Sequence, residues 1–263
     1  MSAKFTEVTE EEKYRKLRRF NAFMGLLHLI QGTIMLLIAN WNVKMTITSA
    51  FLNFPGGGQP PAPQLEVLFT VPLGPLIALF LFMSAIAHFV LASPWGYPWY
   101  VRNLKKHTNP ARWIEYSVSS SFMIVVIAWL CGMWDFVSLI LLFALNACMN
   151  LFGWMMELHN QTTEKTNWTA FIFGCFAGLM PWVGLLIYFF GAGSTTAIPT
   201  FVYVIVISIA FFFNIFALNM VLQYRAKGKY KDYLYGERMY IVLSLVAKSL
   251  LAWQVFAGTL RGG

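Results

Sequence analysis

A single lysine, Lys248, lies in a stretch of sequence that carries no other charge. Nine uncharged residues precede it and twelve follow it within residues 239–260, a run long enough to cross a bilayer. A charged side chain at that depth is costly and usually has a function. Burial favours the neutral amine, which condenses with an aldehyde to form a Schiff base. The alternative is that Lys248 pairs with a carboxylate only to hold helices together.

Glu115 is the acidic residue best placed to balance that amine. If its helix begins near Pro110, the rise of about 1.5 Å per residue places Glu115 about 8 Å inside the membrane. The same rule places Lys248 roughly 14–18 Å from the same surface, and its side chain extends further. A buried cation demands a counter-charge, so we expect the two to meet. Alternatively, Glu115 reaches back to the surface beside Arg112, on the same helix face.

Two histidines and two serines accompany this pair. His28 and His88 fall in the same half of the membrane as the carboxylate. Ser244 lies one helical turn before Lys248, and Ser119 lies one turn after the carboxylate. Together they predict a polar cavity around the amine. Alternatively, each histidine is a hydrogen-bonded structural residue of the core, and each serine hydroxyl bonds to the backbone of its own helix.

Aromatic residues are frequent, with 24 Phe, 11 Tyr and 10 Trp. Trp182, Phe212 and Trp253 lie in the last three predicted spans. Their flat side chains could enclose a long conjugated ligand, so we expect them to line a pocket. Packing between helices or against lipid is the commoner role for any one of them.

Seven transmembrane helices must position these residues. Hydrophobic residues form 58% of the chain and charged residues 11%, against about 25% charged in soluble domains. Charge-free runs mark the spans, and a turn at residues 191–199 divides the longest run in two. The runs are 20–43, 67–101, 116–134, 136–156, 166–224 and 239–260, the last interrupted only by Lys248. The sequence predicts an all-α membrane protein with a single seven-helix domain, residues 1–263. The connection 41–66 holds a stretch of alternating apolar and polar residues, 43–48, followed by a stretch rich in glycine and proline, 55–61. This pattern predicts a short extracellular β-hairpin or strand.

Basic residues predict the orientation of the chain. Sixteen of the 19 lysines and arginines fall in the N-terminal segment, the second, fourth and sixth loops and the start of the third span. Only Lys44 and Arg261 fall on the other side. The N-terminal segment, residues 1–19, is therefore expected in the cytoplasm and the C-terminus outside the cell. The net charge of +8 therefore reflects basic residues at the cytoplasmic surface of the membrane, and it requires no nucleic-acid partner.

The three cysteines, Cys131, Cys148 and Cys175, lack metal-ligand spacing.

Four segments carry a family resemblance. Residues 112–121 (RWIEYSVSSS) and 241–254 (IVLSLVAKSLLAWQ) resemble the heliorhodopsins, as do residues 20–28 and 184–188. An inside-facing N-terminus, inverted relative to other microbial rhodopsins, agrees with this resemblance. The resemblance extends over essentially all seven spans.

The resemblance implies a chromophore and its surroundings. It implies all-trans retinal on Lys248, Glu115 as the counterion of the protonated Schiff base, and a hydrated cavity with His28, His88 and Ser244. It also implies a membrane-embedded homodimer with a slow photocycle suited to signalling. Met149 is expected at the retinal, and its neighbours Cys148 and Asn150 would retune the colour if they reach it.

Three functions follow from these observations. A light sensor that signals to an unidentified cytoplasmic partner is the leading hypothesis, and a light-driven ion transporter or channel is the alternative. A lysine-dependent membrane enzyme or non-retinal receptor is the third, and the resemblance argues against it. In proton-pumping rhodopsins a second carboxylate lies eleven residues after the counterion, where this chain has Val126. We therefore expect no proton pumping and no enzymatic activity.

Overall fold

The computed structural model describes residues 2–58, 60–193 and 198–260, without the side chains of residues 2–9, 192–193 and 260. Seven of its helices are long and apolar enough to cross a membrane, which makes the chain a multi-pass membrane protein. The elements in chain order are α1 (Ser2–Ile38), β1 (Lys44–Asn53), β2 (Ala62–Pro72), α2 (Leu73–Ala92), α3 (Gly96–Leu104), α4 (Pro110–Leu130), α5 (Phe136–His159), α6 (Thr169–Gly193), α7 (Thr200–Arg225) and α8 (Tyr233–Val255). The short helices Gly228–Lys231 and Phe256–Leu260 precede and follow α8.

The first span ends earlier than its charge-free run. The predicted boundary at residue 43 is wrong, because α1 stops at Ile38. Asn40 and Asn42 follow in a turn, in which Asn42 N donates to Asn40 Oδ1 at 3.0 Å. Asparagine side chains favour such turns because they bond to nearby backbone. In the other direction, α1 extends into the charged N-terminal segment and begins at Ser2.

The second span is shorter than predicted at both ends. Residues 67–72 belong to β2, and α2 occupies only Leu73–Ala92. The helix ends at Ala92. The hydroxyl of the next residue, Ser93, donates to Val90 O at 2.7 Å, and Pro94 follows. Since proline cannot continue the hydrogen-bonding pattern, the apolar residues beyond it form the separate helix α3.

The predicted β-hairpin is confirmed and is longer than expected. β1 and β2 pair antiparallel from Lys44–Pro72 to Asn53–Ala62. Met45 and Ile47 are buried in the main core at 1% and 4% exposure, so the base of the hairpin closes one end of the bundle. This end is called the hairpin face. The opposite end, called the basic face, carries the N-terminal segment and loops 93–109, 160–168 and 226–232.

Asp135 joins the hairpin to α5. Its carboxylate accepts from Ser138 N and Ser138 Oγ, both at 2.8 Å, and from Ser49 Oγ of β1 at 3.0 Å. Burial would raise the pKa of Asp135, but these hydrogen bonds hold it below its usual range. The same carboxylate therefore caps α5 and holds the sheet on the bundle.

The start of α4 lies before the predicted span of 116–134. Asn109 caps the helix by accepting from Arg112 N at 3.2 Å, and Pro110 occupies its first turn. Arg112 and Glu115 are therefore both helical and point from the first two turns of α4.

Residues 194–197 of the predicted turn at 191–199 lie outside the described residues. Before them α6 ends at Gly193, and after them α7 begins at Thr200.

Candidate functional site

Lys248 and Glu115 form an ion pair inside the bundle. Lys248 Nζ lies 2.7 Å from Glu115 Oε1, and the two side chains are 3% and 10% exposed. The structure therefore brings the two residues together as expected, α8 against α4. Breaking such a buried pair by removing one partner costs about 3–5 kcal/mol, so the pair is also structural.

Ser84 of α2 completes the pair. Its hydroxyl donates to Glu115 Oε1 at 2.6 Å and accepts from Lys248 Nζ. Three helices thus meet at one carboxylate oxygen and one amine. Sequence reasoning missed Ser84, although a hydroxyl in the middle of a charge-free span is a usable signal.

An apolar cavity extends from the amine between α4, α5, α6, α7 and α8. Ser119, Ser244 and Met149, three of the residues expected at a ligand, line it together with Lys248. Its other walls are mostly aromatic, aliphatic or small side chains: Trp113, Tyr116, Ser120, Met123, Asn150, Gly153, Phe171, Gly174, Cys175, Phe213, Phe216, Ala217, Met220, Tyr240 and Ala247. A nucleophilic amine therefore lies at the wall of an otherwise apolar space.

Three aromatic residues expected in this lining are not part of it. Trp253 is 36% exposed and donates to Gln31 Oε1 at 3.1 Å. Five residues after Lys248, it is rotated about 140° around α8, away from the cavity. Trp182 packs edge-on against Phe213 at 5.6 Å between ring centroids, so it supports a wall residue from behind. Phe213, not its neighbour Phe212, faces the cavity.

The apolar lining of the cavity and its amine suit an aldehyde with a long apolar tail, but the cavity volume is too small for such a ligand. It measures about 130 Å³, below the roughly 300–1,000 Å³ of typical ligand pockets. Met123, Met149 and Met220 are among its walls. Methionine side chains are unbranched and change shape easily, so occupation by a retinal-sized group requires them to move.

Cys148 and Asn150, the two neighbours of Met149 that would retune the colour, have different surroundings. Asn150 lines the cavity and donates to Ser120 Oγ at 3.1 Å. Cys148 is exposed on the outer surface of the bundle and does not line the cavity. Only Asn150 is therefore placed to influence a ligand directly.

A second, polar cavity of about 40 Å³ lies on the basic-face side of the ion pair, large enough for water. Glu115, Ser244 and His88 line it, with Asn21 beside the histidine. His88 Nδ1 donates to Asn21 Oδ1 at 2.8 Å. His28 stacks on His88 at 5.6 Å but does not line this cavity. The structure thus groups both histidines, with His88 alone at the cavity wall.

A buried ionic cluster closes the polar cavity toward the basic face. Arg112 donates to Glu157 of α5 and to Glu237 of α8, and all three side chains are at most 4% exposed. Arg112 therefore does not hold Glu115 at the surface, the alternative that the sequence left open. Its guanidinium also lies 3.9 Å from the Tyr240 ring centroid. Glu157 and Glu237 were missed because charges near helix ends were assigned to loops.

Comparison with known proteins shows the family and the fold of the chain. A family model described as heliorhodopsin matches residues 17–260. The chain is also similar to the crystal structure of a rhodopsin from Exiguobacterium sibiricum, at 17% identity and a TM-score of 0.52, over 71% of this chain and 82% of that one. This likeness concerns the fold alone, and it confirms the predicted rhodopsin-like bundle. No curated protein matches the chain.

Proposed function

The chain belongs to the heliorhodopsin family of light-sensing retinal proteins, and we propose that it holds all-trans retinal as a protonated Schiff base on Lys248, with Glu115 as the counterion. The observation that carries the proposal is the Lys248–Glu115 pair, at 2.7 Å, at the wall of an apolar cavity. When bound, retinal supplies light absorption and isomerisation. The chain supplies the anchoring amine, the anion and the enclosure, which is a sensing role and not catalysis.

Proton movement at the amine is directed toward the basic face. Glu115 supplies the carboxylate that pairs with Lys248 Nζ, at 2.7 Å, and Glu115 lines the polar cavity that His88 and Asn21 share. Toward the hairpin face, α4 presents the buried apolar side chains Ile124 and Val126. A proton that leaves the amine therefore has a path to one side only and returns from it. This arrangement favours a slow photocycle and a sensor over a pump.

We expect that illumination moves no protons across the membrane. No acidic residue lies beyond the ion pair, toward the hairpin face, within the described spans, so no group serves as an outward relay or proton donor. External pH and membrane current are recorded during illumination of cells that express the chain. An outward-pumping rhodopsin in the same cells is the positive control.

A light-dependent pH change that a protonophore abolishes, or a steady photocurrent, would contradict this expectation. Either result would favour the alternative, a light-driven transporter or channel. The polar side chain of Gln254, in the last span, donates to Ser208 Oγ at 3.1 Å.

The proposed orientation is tested by cysteine labelling in intact cells. Arg15 is exposed at the basic face, and Arg15→Cys should resist an impermeant thiol reagent if that face is cytoplasmic. Ala62 is exposed near the tip of the hairpin, and Ala62→Cys should react. Cys148 and Cys175 are replaced by serine in both variants. Labelling at position 15 but not at position 62 would show that the orientation is the opposite of the one proposed.

We also propose a homodimer and an unidentified cytoplasmic signalling partner. The hairpin leaves Phe51, Leu52 and Leu65 at least half exposed, and such apolar patches support an interface in the plane of the membrane. The partner is sought by comparing proteins that co-purify with the chain in light and in darkness.

A further inference from the structure

A separate cavity opens at the basic face, on the far side of the ionic cluster. It measures about 520 Å³, within the roughly 300–1,000 Å³ of small-molecule pockets. The loops after α3, α5 and α7 enclose it, and Glu157 and Gln223 lie at its buried end. We call this cavity the basic vestibule.

The free charges of the basic vestibule are positive. Among the described residues that line it, Glu157 is the only one with a carboxylate, which is already bound by Arg112 and by Asn109 N at 2.8 Å. Lys106 and Lys231 form no ion pair in the described part of the chain. The nearby carboxylate of Asp232 pairs with Lys13 instead, at 3.2 Å. The vestibule therefore favours an anion.

The walls are shaped for a small molecule. Tyr233 stacks on His107 with ring centroids 4.6 Å apart, and amide groups of Asn160, Gln161 and Gln223 add hydrogen-bonding capacity. His107 and Ala226 have φ of 56° and 47°, the only non-glycine residues with positive φ in the described ranges. Both line the vestibule, and strained backbone of this kind concentrates at binding sites.

We propose that the basic vestibule binds a small phosphate-bearing anion through Lys105, Lys106 and Lys231. Ammonium groups are point-like phosphate ligands, and these three lie on two different loops around one opening. The source of the phosphate is a soluble metabolite or the headgroup of a membrane lipid. The site shares Glu157 with the ionic cluster, which places the bound anion one side chain away from Arg112 and the polar cavity.

The test measures binding of pyrophosphate to the purified full chain in neutral detergent by isothermal titration calorimetry. We expect a Kd below about 1 mM, and binding about tenfold weaker in Lys106→Gln/Lys231→Gln. The matched control is Lys227→Gln/Lys229→Gln, which removes two lysines of the same loop that do not line the vestibule and should leave the Kd unchanged. Circular dichroism and gel filtration report the folding of each variant.

Two further arms decide the source of the phosphate. Binding is repeated in nanodiscs of neutral phosphatidylcholine and of anionic phosphatidylglycerol. Pyrophosphate binding in both supports a soluble ligand, whereas its loss only in phosphatidylglycerol supports a lipid headgroup in the vestibule. No binding in detergent or in neutral nanodiscs, or equal weakening in both double variants, would overturn the proposal. Because the titration also works without retinal, its failure leaves the photoreceptor function untouched.

Discussion

Lys248→Ala is expected to give a folded protein that forms no visible pigment with added retinal. Lys248 is the only buried lysine among the described residues, and its amine opens into the apolar cavity. No other amine is placed to form the Schiff base there. Absorption spectra of the purified variant, compared with the wild type after addition of retinal, measure the effect.

A loss of colour caused by misfolding must be distinguished from a loss caused by the missing amine. The alanine variant leaves Glu115 buried without its cation, at a cost of about 3–5 kcal/mol. The double variant Lys248→Ala/Glu115→Gln removes both charges and should fold at least as well, still without colour. Circular dichroism and gel filtration check the fold of both proteins.

A rescue experiment makes the assignment sharper. Alanine retains Cβ and lacks the three carbons that carry the amine, so the Schiff base of retinal with n-propylamine supplies the missing atoms. Added to Lys248→Ala, it should restore a visible band. Normal pigment in Lys248→Ala with retinal alone would show that another group anchors the chromophore.

Glu115→Gln should shift the visible band to longer wavelength and make the pigment bleach at lower pH. A carboxylate at 2.7 Å from Nζ stabilises the protonated Schiff base and holds its positive charge near nitrogen. Without that anion the proton is lost more easily, and the pH of bleaching should fall by roughly 1–3 units. The remaining protonated form absorbs further to the red, because its charge spreads along the polyene. Spectra recorded across a pH titration measure both effects.

Glu157→Gln is the matched control, since Glu157 also forms an ion pair inside the bundle but binds Arg112 and not Lys248. Its band and bleaching pH should stay close to those of the wild type. If Glu115→Gln behaves in this way too, the counter-charge lies elsewhere. A wild-type band that moves with added chloride would then place it on an anion near His28 and His88.

The sequence alone determined the number of spans and the depth of the key side chains. Charge and hydropathy depend on residue type, and position along a helix converts directly into depth at a constant rise. For this reason the seven helices were predictable, and Lys248 and Glu115 were expected at compatible depths. Span boundaries were less predictable: α1 and α2 end at turn signals, Asn40 and Pro94, that lie inside charge-free runs.

Only the tertiary structure decided which side chains meet. Arg112 could have held Glu115, but the rotation of α4 directs it to Glu157 and Glu237, 45 and 125 residues away in the chain. The same holds for Ser84, which reaches the ion pair from α2, and for Trp253, which faces α1 instead of the cavity. The facing of helices depends on how their side chains interlock across the whole bundle, and no local pattern of charge or hydropathy encodes that rotation.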